Sequence, residues 1–490
     1  MRNQVQLITY VDRLAGDLTG LIDLLTGPLD GVFGGVHLLP FFHPIDGADA
    51  GFDPIDHTTV DTRLGTWEDV GALGAEHDVM ADVIVNHVSA QSPQFLDWQR
   101  RGDDSDFAGM FLTYDAVYPD GATEAELMST YRPRPGLPFT VLRAAGVPRV
   151  MWTTFTSNQI DLDVSSDQTR AYFTAILDRM VASGVNLIRL DAVGYAIKKR
   201  GTSSFMIPET FDFIEELAEE CRARGITMLV EVHSYYRSQI EIADRVDLVY
   251  DFALPPLVLD ALYTADGGPL KAWIEMRPTN CVTVLDTHDG IGVIDVGAHP
   301  QDGRPGLLAP NRLDALVERI HAESGGTSRQ ATGGAATNLD LYQVNCTFFD
   351  ALGGDVRRYL VARLIQVLVP GVPQIYYVGL LLGRNDLELL ERTNVGRDIN
   401  RHYYTTEEVH AALGSADVAD FLALYRWRNG EPAFAGRFEL LDSADDVLSL
   451  KWSHGGRHVR VEIGLNNLHI TTQIRDRDRV VEYEGLDFCL

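Results

Sequence analysis

The chain alternates between short apolar runs and longer stretches of helical periodicity. The runs are Val5–Tyr10, Gly35–Pro40, Asp78–His87, Leu187–Gly194, Thr227–Ser234, Leu248–Leu254, Val282–Asp289 and Gln374–Gly379. Near-continuous apolar runs of this length suit strands that are buried on both faces. Between them, stretches such as Tyr172–Ser183 and Pro208–Arg224 repeat apolar residues at helical spacing. Eight strands alternating with helices predict an α/β fold of the (β/α)8 TIM-barrel type. An open doubly wound sheet is the rival, but no glycine-rich phosphate loop follows any of the runs.

The spacing is uneven. Roughly a hundred residues lie between the third and fourth strands, where a helix and two short loops need far fewer. The excess, 88–165, predicts an inserted subdomain after the third strand. A second excess, 291–353, predicts a loop-rich insertion after the seventh. Its glycine-rich segments, Ser324–Gly326 and Gly333–Gln343, read as mobile loops. The barrel itself is assigned to 1–87, 166–290 and 354–427. After Trp427 the pattern shortens to alternation in Phe438–Leu441, Val447–Trp452, His458–Ile463 and His469–Ile474, which predicts a small antiparallel β domain over 428–490. In such barrels the loops at the strand C-termini build the site. Both insertions are therefore expected to roof it.

Three of the runs deliver an acid to the same end. Asn186–Gly194 reads NLIRLDAVG, which puts Arg189 and Asp191 two residues apart and so on one face of a strand. Alone, the pair is equally a structural salt bridge. Glu231 and Asp289, at the ends of two later strands, turn it into a constellation. Two carboxyl groups flanking a glycosidic bond can cleave it with retention when they stand about 5–5.5 Å apart. Asp191 reads as the nucleophile, because Arg189 on the same face would hold it ionised. Glu231 lies between Val230 and Val232, an apolar setting expected to raise its carboxyl toward the value an acid catalyst needs. Asp289, beside His288, would set negative charge near a developing oxocarbenium ion.

Composition removes some classes of partner. Of 490 residues, 45% are apolar and 23% charged, and the formal net charge is −29. That balance argues against nucleic acid or an anionic membrane, both of which demand a basic face. Cys221, Cys281, Cys346 and Cys489 lie far apart without metal spacing and read as reduced thiols. No signal segment and no apolar run long enough to span a bilayer is evident, so a cytoplasmic location is expected.

The segments Asp82–His87, Arg189–Val193, Glu231–His233 and Thr287–Asp289 resemble the four signature regions of the α-amylase superfamily. Gln6–Tyr10, Gly47–His57, Tyr131–Phe139, Glu231–Tyr236, Asn338–Gln343 and Asn394–Tyr404 are similar to the sucrose phosphorylase branch, over about residues 1 to 430. The resemblance implies a retaining glycosyl transfer without cofactor, from sucrose or sucrose 6F-phosphate to inorganic phosphate. It implies Asp191 as nucleophile, Glu231 as acid/base and Asp289 as transition-state stabiliser. Asp49, His87, Arg189, His288 and Arg397 would hold the glucosyl hydroxyls between Phe52, Phe155 and Tyr195. Arg134, Asp340, Tyr342 and Gln343 would line the acceptor side. Members of the superfamily often bind calcium near the Asn-His of the third strand; beyond Asn86 no oxygen set can be read here, and no metal is assigned. Some relatives dimerise through the barrel insertions, so a homodimer is an expectation of the resemblance alone.

Chemistry also favours phosphate over water as glucosyl acceptor. An anion delivered beside two carboxylates needs a cation, and Arg134, braced by Pro133 and Pro135, offers a guanidinium fork. The segment Leu339–Gln343 is expected to present Asp340 to a fructosyl group and Tyr342 to phosphate in turn. His43 and Arg143, with Arg134, are candidates for a second phosphate. The sequence leaves sucrose and its 6F-phosphate open, with glucosylglycerol or glucosylglycerate phosphorolysis, hydrolysis or transglucosylation, and a non-catalytic sugar-binding barrel as alternatives.

Overall fold

The computed structural model describes residues 1–489 apart from 134–135, 300–301, 332–342 and 478. The eight apolar runs become β1 (Gln6–Thr9), β2 (Gly35–Leu38), β3 (Asp78–Ile84), β4 (Leu187–Asp191), β5 (Thr227–Val230), β6 (Leu248–Asp251), β7 (Cys281–Thr283) and β8 (Val372–Tyr376). They close into one parallel barrel in which β8 pairs with β1. Every residue of β3 is buried, as a strand walled by side chains inside and helices outside must be.

The connecting helices bury one stripe each. Asp167–Ala182 starts at Ser166, whose hydroxyl accepts from the Thr169 amide, and packs Phe173, Ile176, Leu177 and Met180 inward. Full burial of such a side chain contributes about 1.5–3 kcal/mol. Pro208–Ala223 begins on a proline, whose missing N–H costs nothing in a first helical turn.

The barrel interior is not wholly apolar. Register places Arg189 beside Asp82 on the adjacent strand, and Arg189 Nη1 donates to Asp82 Oδ1 at 2.6 Å. His37 Nε2 approaches the other oxygen of Asp82 at 3.3 Å. Tyr250 donates to Gln374 Oε1 at 2.9 Å. This polar layer fixes the guanidinium from below.

Both spacing excesses carry structure of their own. After β3, His87–Ser89 pairs antiparallel with Gln159–Asp161, and Phe139–Ala144 forms a hairpin with Val147–Trp152. After β7, Ile291–Gly292 pairs with Gln343–Val344. The expectation of a mobile loop at Ser324–Gly326 is corrected. These residues make a tight corner between helices Pro310–Glu323 and Thr327–Gln330, with Gly325 and Gly326 at φ 63° and 84°, a conformation glycine adopts without Cβ strain. The segment Gly333–Tyr342 lies outside the described residues.

The last helix of the barrel, Ala416–Gly430, runs past Trp427. A five-stranded antiparallel sheet follows: β9 (Arg437–Leu441), β10 (Val447–His454), β11 (Arg457–Gly464), β12 (Ile470–Asp476) and β13 (Arg479–Glu484). Trp452 on β10 donates its indole N–H to the Leu368 carbonyl at 2.6 Å, which ties the sheet to the barrel.

Candidate active site

The C-terminal ends of β4, β5 and β7 converge on one cavity. Asp191, Glu231 and Asp289 all line it, with Asp49, Phe52, His87, Phe155, Tyr195, His288 and Arg397. Arg189 sits beneath, 1% exposed. Backbone strain marks the rim: Asp49 and Ala50 have φ of 51° and 55°, and Ala192, directly after Asp191, has φ 56°. Non-glycine residues hold this left-handed conformation only where the surroundings enforce it.

One guanidinium serves three acids. Arg189 Nη1 lies 2.6 Å from Asp82 and 3.2 Å from Asp191, and Nη2 lies 3.9 Å from Glu231. The sequence leads one to expect that Arg189 holds Asp191 ionised; here it divides its charge among three acids. Burial pushes the Asp191 carboxyl well up; Arg189 opposes it, while Glu231, Asp82 and Asp289 add to the rise. The expected apolar setting of Glu231 is also corrected. Whatever its apolar chain neighbours Val230 and Val232, Glu231 meets Arg189 and His233 Nε2, each at 3.9 Å.

Asp289 is treated differently. Burial works to raise it, but Arg397, His288, Arg401 and His233 carry it far below the usual carboxylate range. Arg397 Nη1 stands 2.7 Å from Asp289 and 3.7 Å from Asp49. Arg401, fully buried, donates Nε to the His288 carbonyl at 2.8 Å and lies 3.4 Å from Asp49. Asn400 donates to the Thr287 carbonyl at 2.9 Å. The segment 396–401 therefore braces the end of β7.

The aromatic wall is continuous. Phe52 stacks on His288 at 4.9 Å and 9°, and Phe155 stands edge-on to both His87 and Tyr195. His87 Nε2 donates to the Phe52 carbonyl at 3.0 Å. Burial lowers His87 to about 4 and His288 to about 3, so both are neutral rings at neutral pH. Neutral imidazoles and ion-paired acids arranged in this way offer hydrogen-bond donors and acceptors suited to hydroxyl groups.

Residues 7–267 match the α-amylase catalytic-domain family. The chain is 59% identical to a sucrose phosphorylase of Agrobacterium vitis over 92% of its own length and 93% of the relative's. It is 54% identical to a sucrose phosphorylase of Bifidobacterium adolescentis, over 92% and 90%. Among solved structures it superposes on sucrose 6F-phosphate phosphorylase from Thermoanaerobacter thermosaccharolyticum with a TM-score of 0.91 at 36% identity, covering 99% of this chain and 98% of that one. The chain belongs to the α-amylase family, in its sucrose phosphorylase branch.

For a member of this branch the acceptor side matters most. Arg134, Asp340 and Tyr342 lie outside the described residues. Gln343 is described: its Oε1 accepts from the Gly290 amide at 3.2 Å, and its Nε2 lies 3.1 Å from His233 Nε2. Beyond Glu231 a second recess is lined by Tyr131, Tyr195, Phe205 and His233. Neither His43 nor Arg143 reaches it. His43 pairs with Asp61 at 3.6 Å, and Arg143 donates to the Gly146 carbonyl within its own hairpin at 2.8 Å.

Calcium does not fit at Asn86. Asn86 Oδ1, Asp161 Oδ2 and the Tyr195 carbonyl all point at the Lys198 ammonium, at 2.6, 2.7 and 2.5 Å. Three donors meet three oxygens, and the cation there is a side chain. The sequence reading also passed over Gln159, which lines the sugar cavity, and Arg401, His233 and Asp295. Arg401 and His233 stood inside motifs already singled out; Gln159 and Asp295 carried no such signal.

Proposed function

We propose that this chain is a retaining phosphorylase of sucrose, releasing α-D-glucose 1-phosphate and fructose. In the first step an Asp191 oxygen attacks the anomeric carbon, the bond to the fructosyl oxygen breaks, and Glu231 gives that oxygen its proton. In the second step a phosphate oxygen attacks the glucosyl-Asp191 ester, its proton passes to Glu231, and Asp191 leaves as carboxylate. Asp289, kept anionic by its arginines, faces the positive charge of each transition state. Asp49, His87, His288 and Arg397 receive the glucosyl hydroxyls, and Phe52, Phe155 and Tyr195 pack on the ring. For Arg134, Asp340 and Tyr342 the acceptor-side role rests on the branch resemblance.

The observation that carries this reading is the convergence of all three acids on one cavity in a chain of this branch. Identity of 59% and 54% to two sucrose phosphorylases, against 36% to the sucrose 6F-phosphate phosphorylase, favours plain sucrose over its 6F-phosphate. The test is release of glucose 1-phosphate from each sugar, with and without inorganic phosphate. Turnover of sucrose that collapses when phosphate is omitted supports the reading. Undiminished glucose release without phosphate would make the enzyme a hydrolase, and preference for the phosphate ester would reverse the choice of substrate.

A further inference from the structure

Behind the acid/base residue lies a second carboxylate that the chemistry above does not use. Asp295, in the segment after β7, is fully buried. It accepts from His233 Nδ1 at 2.9 Å, from the Ser234 amide at 3.2 Å and from Gln239 Nε2 at 2.8 Å. Three donors from the β5 loop and the helix after it thus meet one anion. The imidazole is clamped as well as charged, since it stacks on Phe252 at 3.8 Å and 16°. Gly292 makes room, because a Cβ there would overlap Asp295 Oδ2 and come within 3.1 Å of His233 Nδ1.

The hydrogen bonds assign the tautomer. The Gly290 amide donates to Gln343 Oε1, which turns the Gln343 NH2 toward His233. In the neutral ring His233 Nε2 therefore accepts from Gln343, and Nδ1 carries the proton that faces Asp295; in the imidazolium both nitrogens donate and the Gln343 amide must turn away. A carboxylate behind a ring nitrogen favours the imidazolium whenever the other nitrogen takes up a proton. The other nitrogen faces Glu231 and the recess that the second substrate must cross.

We propose that Asp295 is a positioning residue for the acceptor step: it orients His233 and keeps its imidazole ready to carry positive charge when phosphate arrives beside Glu231. The inference rests on the phosphorylase reading. An incoming anion is repelled by Glu231 and by Asp191 as it is released, and a cation held on the acceptor side offsets that repulsion in the second step alone. Among the described residues, the charged groups facing His233 include Asp295, Glu231 two positions before it and Asp289 after β7. Burial lowers the imidazole, and these three anions more than reverse that.

The test uses the full-length chain with sucrose and varied phosphate across pH 6–8. Asp295→Asn should raise the KM for phosphate about tenfold while moving that for sucrose much less, and more glucosyl-enzyme should partition to water. The phosphate KM should also begin to rise at a lower pH than in the wild type, since His233 loses its proton earlier without the anion. His233→Gln should give the same phosphate-selective loss, and the double variant should add nothing further. Gly292→Ala, which displaces the pair by bulk, is the alternative should Asp295→Asn fail to fold, and it carries the same expectation. Equal rises in both KM values, additive losses in the double variant, or an unchanged pH profile would overturn the proposal. Absence of glucose 1-phosphate from the wild type would instead overturn the phosphorylase reading, so the two failures are distinguishable.

Discussion

His87 and His288, on the proposed glucosyl side of the cavity, and His233, on the proposed acceptor side, are the same side chain in opposite settings. Burial drives the first two to about 4 and 3. His233 is somewhat more open, and although burial works to lower it too, it is pushed above its ordinary value because Asp295, Glu231 and Asp289 face it. The glucosyl side pairs its anions with arginines and leaves its imidazoles neutral, as suits a ligand rich in hydroxyl groups. The acceptor side leaves an anion opposite an imidazole. What distinguishes the two halves is which carboxylates already have a guanidinium, a property of partners rather than of residue type.

The sharpest way to break the glucosyl side is to remove its nucleophile. Asp191→Asn should cost about 10⁴-fold or more in kcat, in line with losses seen when a covalent nucleophile is deleted, with no glucosyl-enzyme detectable by mass spectrometry. Residual turnover within tenfold of wild type would place the chemistry elsewhere. Next comes the residue on the border of the two halves. Glu231→Gln should lose about 10²–10⁴-fold on sucrose but recover much of its first step with α-glucosyl fluoride, whose leaving group needs no proton. Failure of that substrate to discriminate would remove Glu231 from the acid role.

Arg401→Leu tests the brace beneath Asp289 and Asp49. Loss of one partner from a buried ionic cluster is expected to cost about 3–5 kcal/mol of stability, read as a fall in the denaturation midpoint. A midpoint unchanged from wild type would show that Arg397 alone carries both acids. The smallest effect expected is a displacement of the pH profile. Asp191 must be ionised to attack, and its carboxyl is raised, so kcat/KM should fall as pH drops through a value above the usual aspartate figure of about 3.9. His87 and His288 are already neutral throughout that range and should add no second limb. A limb at or below 4 would mean that Arg189 dominates Asp191 after all.

Much of this was legible in the residues themselves. Strands buried on both faces must read as apolar runs, so an acid ending such a run is conspicuous; that is why β4, β5 and β7 and their carboxylates could be found without coordinates. The same reasoning failed for Glu231's surroundings, because what its carboxyl meets, Arg189, comes from another strand rather than from its chain neighbours. Asp295 and Arg401 escaped assignment for a different reason. Each lies outside any strand, and its burial depends on partners many positions distant. The fifth strand of the C-terminal sheet, Arg479–Glu484, was missed because its residues are half or fully exposed and leave no apolar alternation.

Lys198 has a practical consequence. A segment entering an insertion, a segment returning from it and the loop after β4 are held together at the edge of the sugar cavity by an ammonium that belongs to the polypeptide. A dissolved ion in that position can be dialysed out or stripped by a chelator, and the junction would then come and go with the composition of the buffer. A lysine arrives with the chain, in a stoichiometry of one, and leaves only when the protein unfolds.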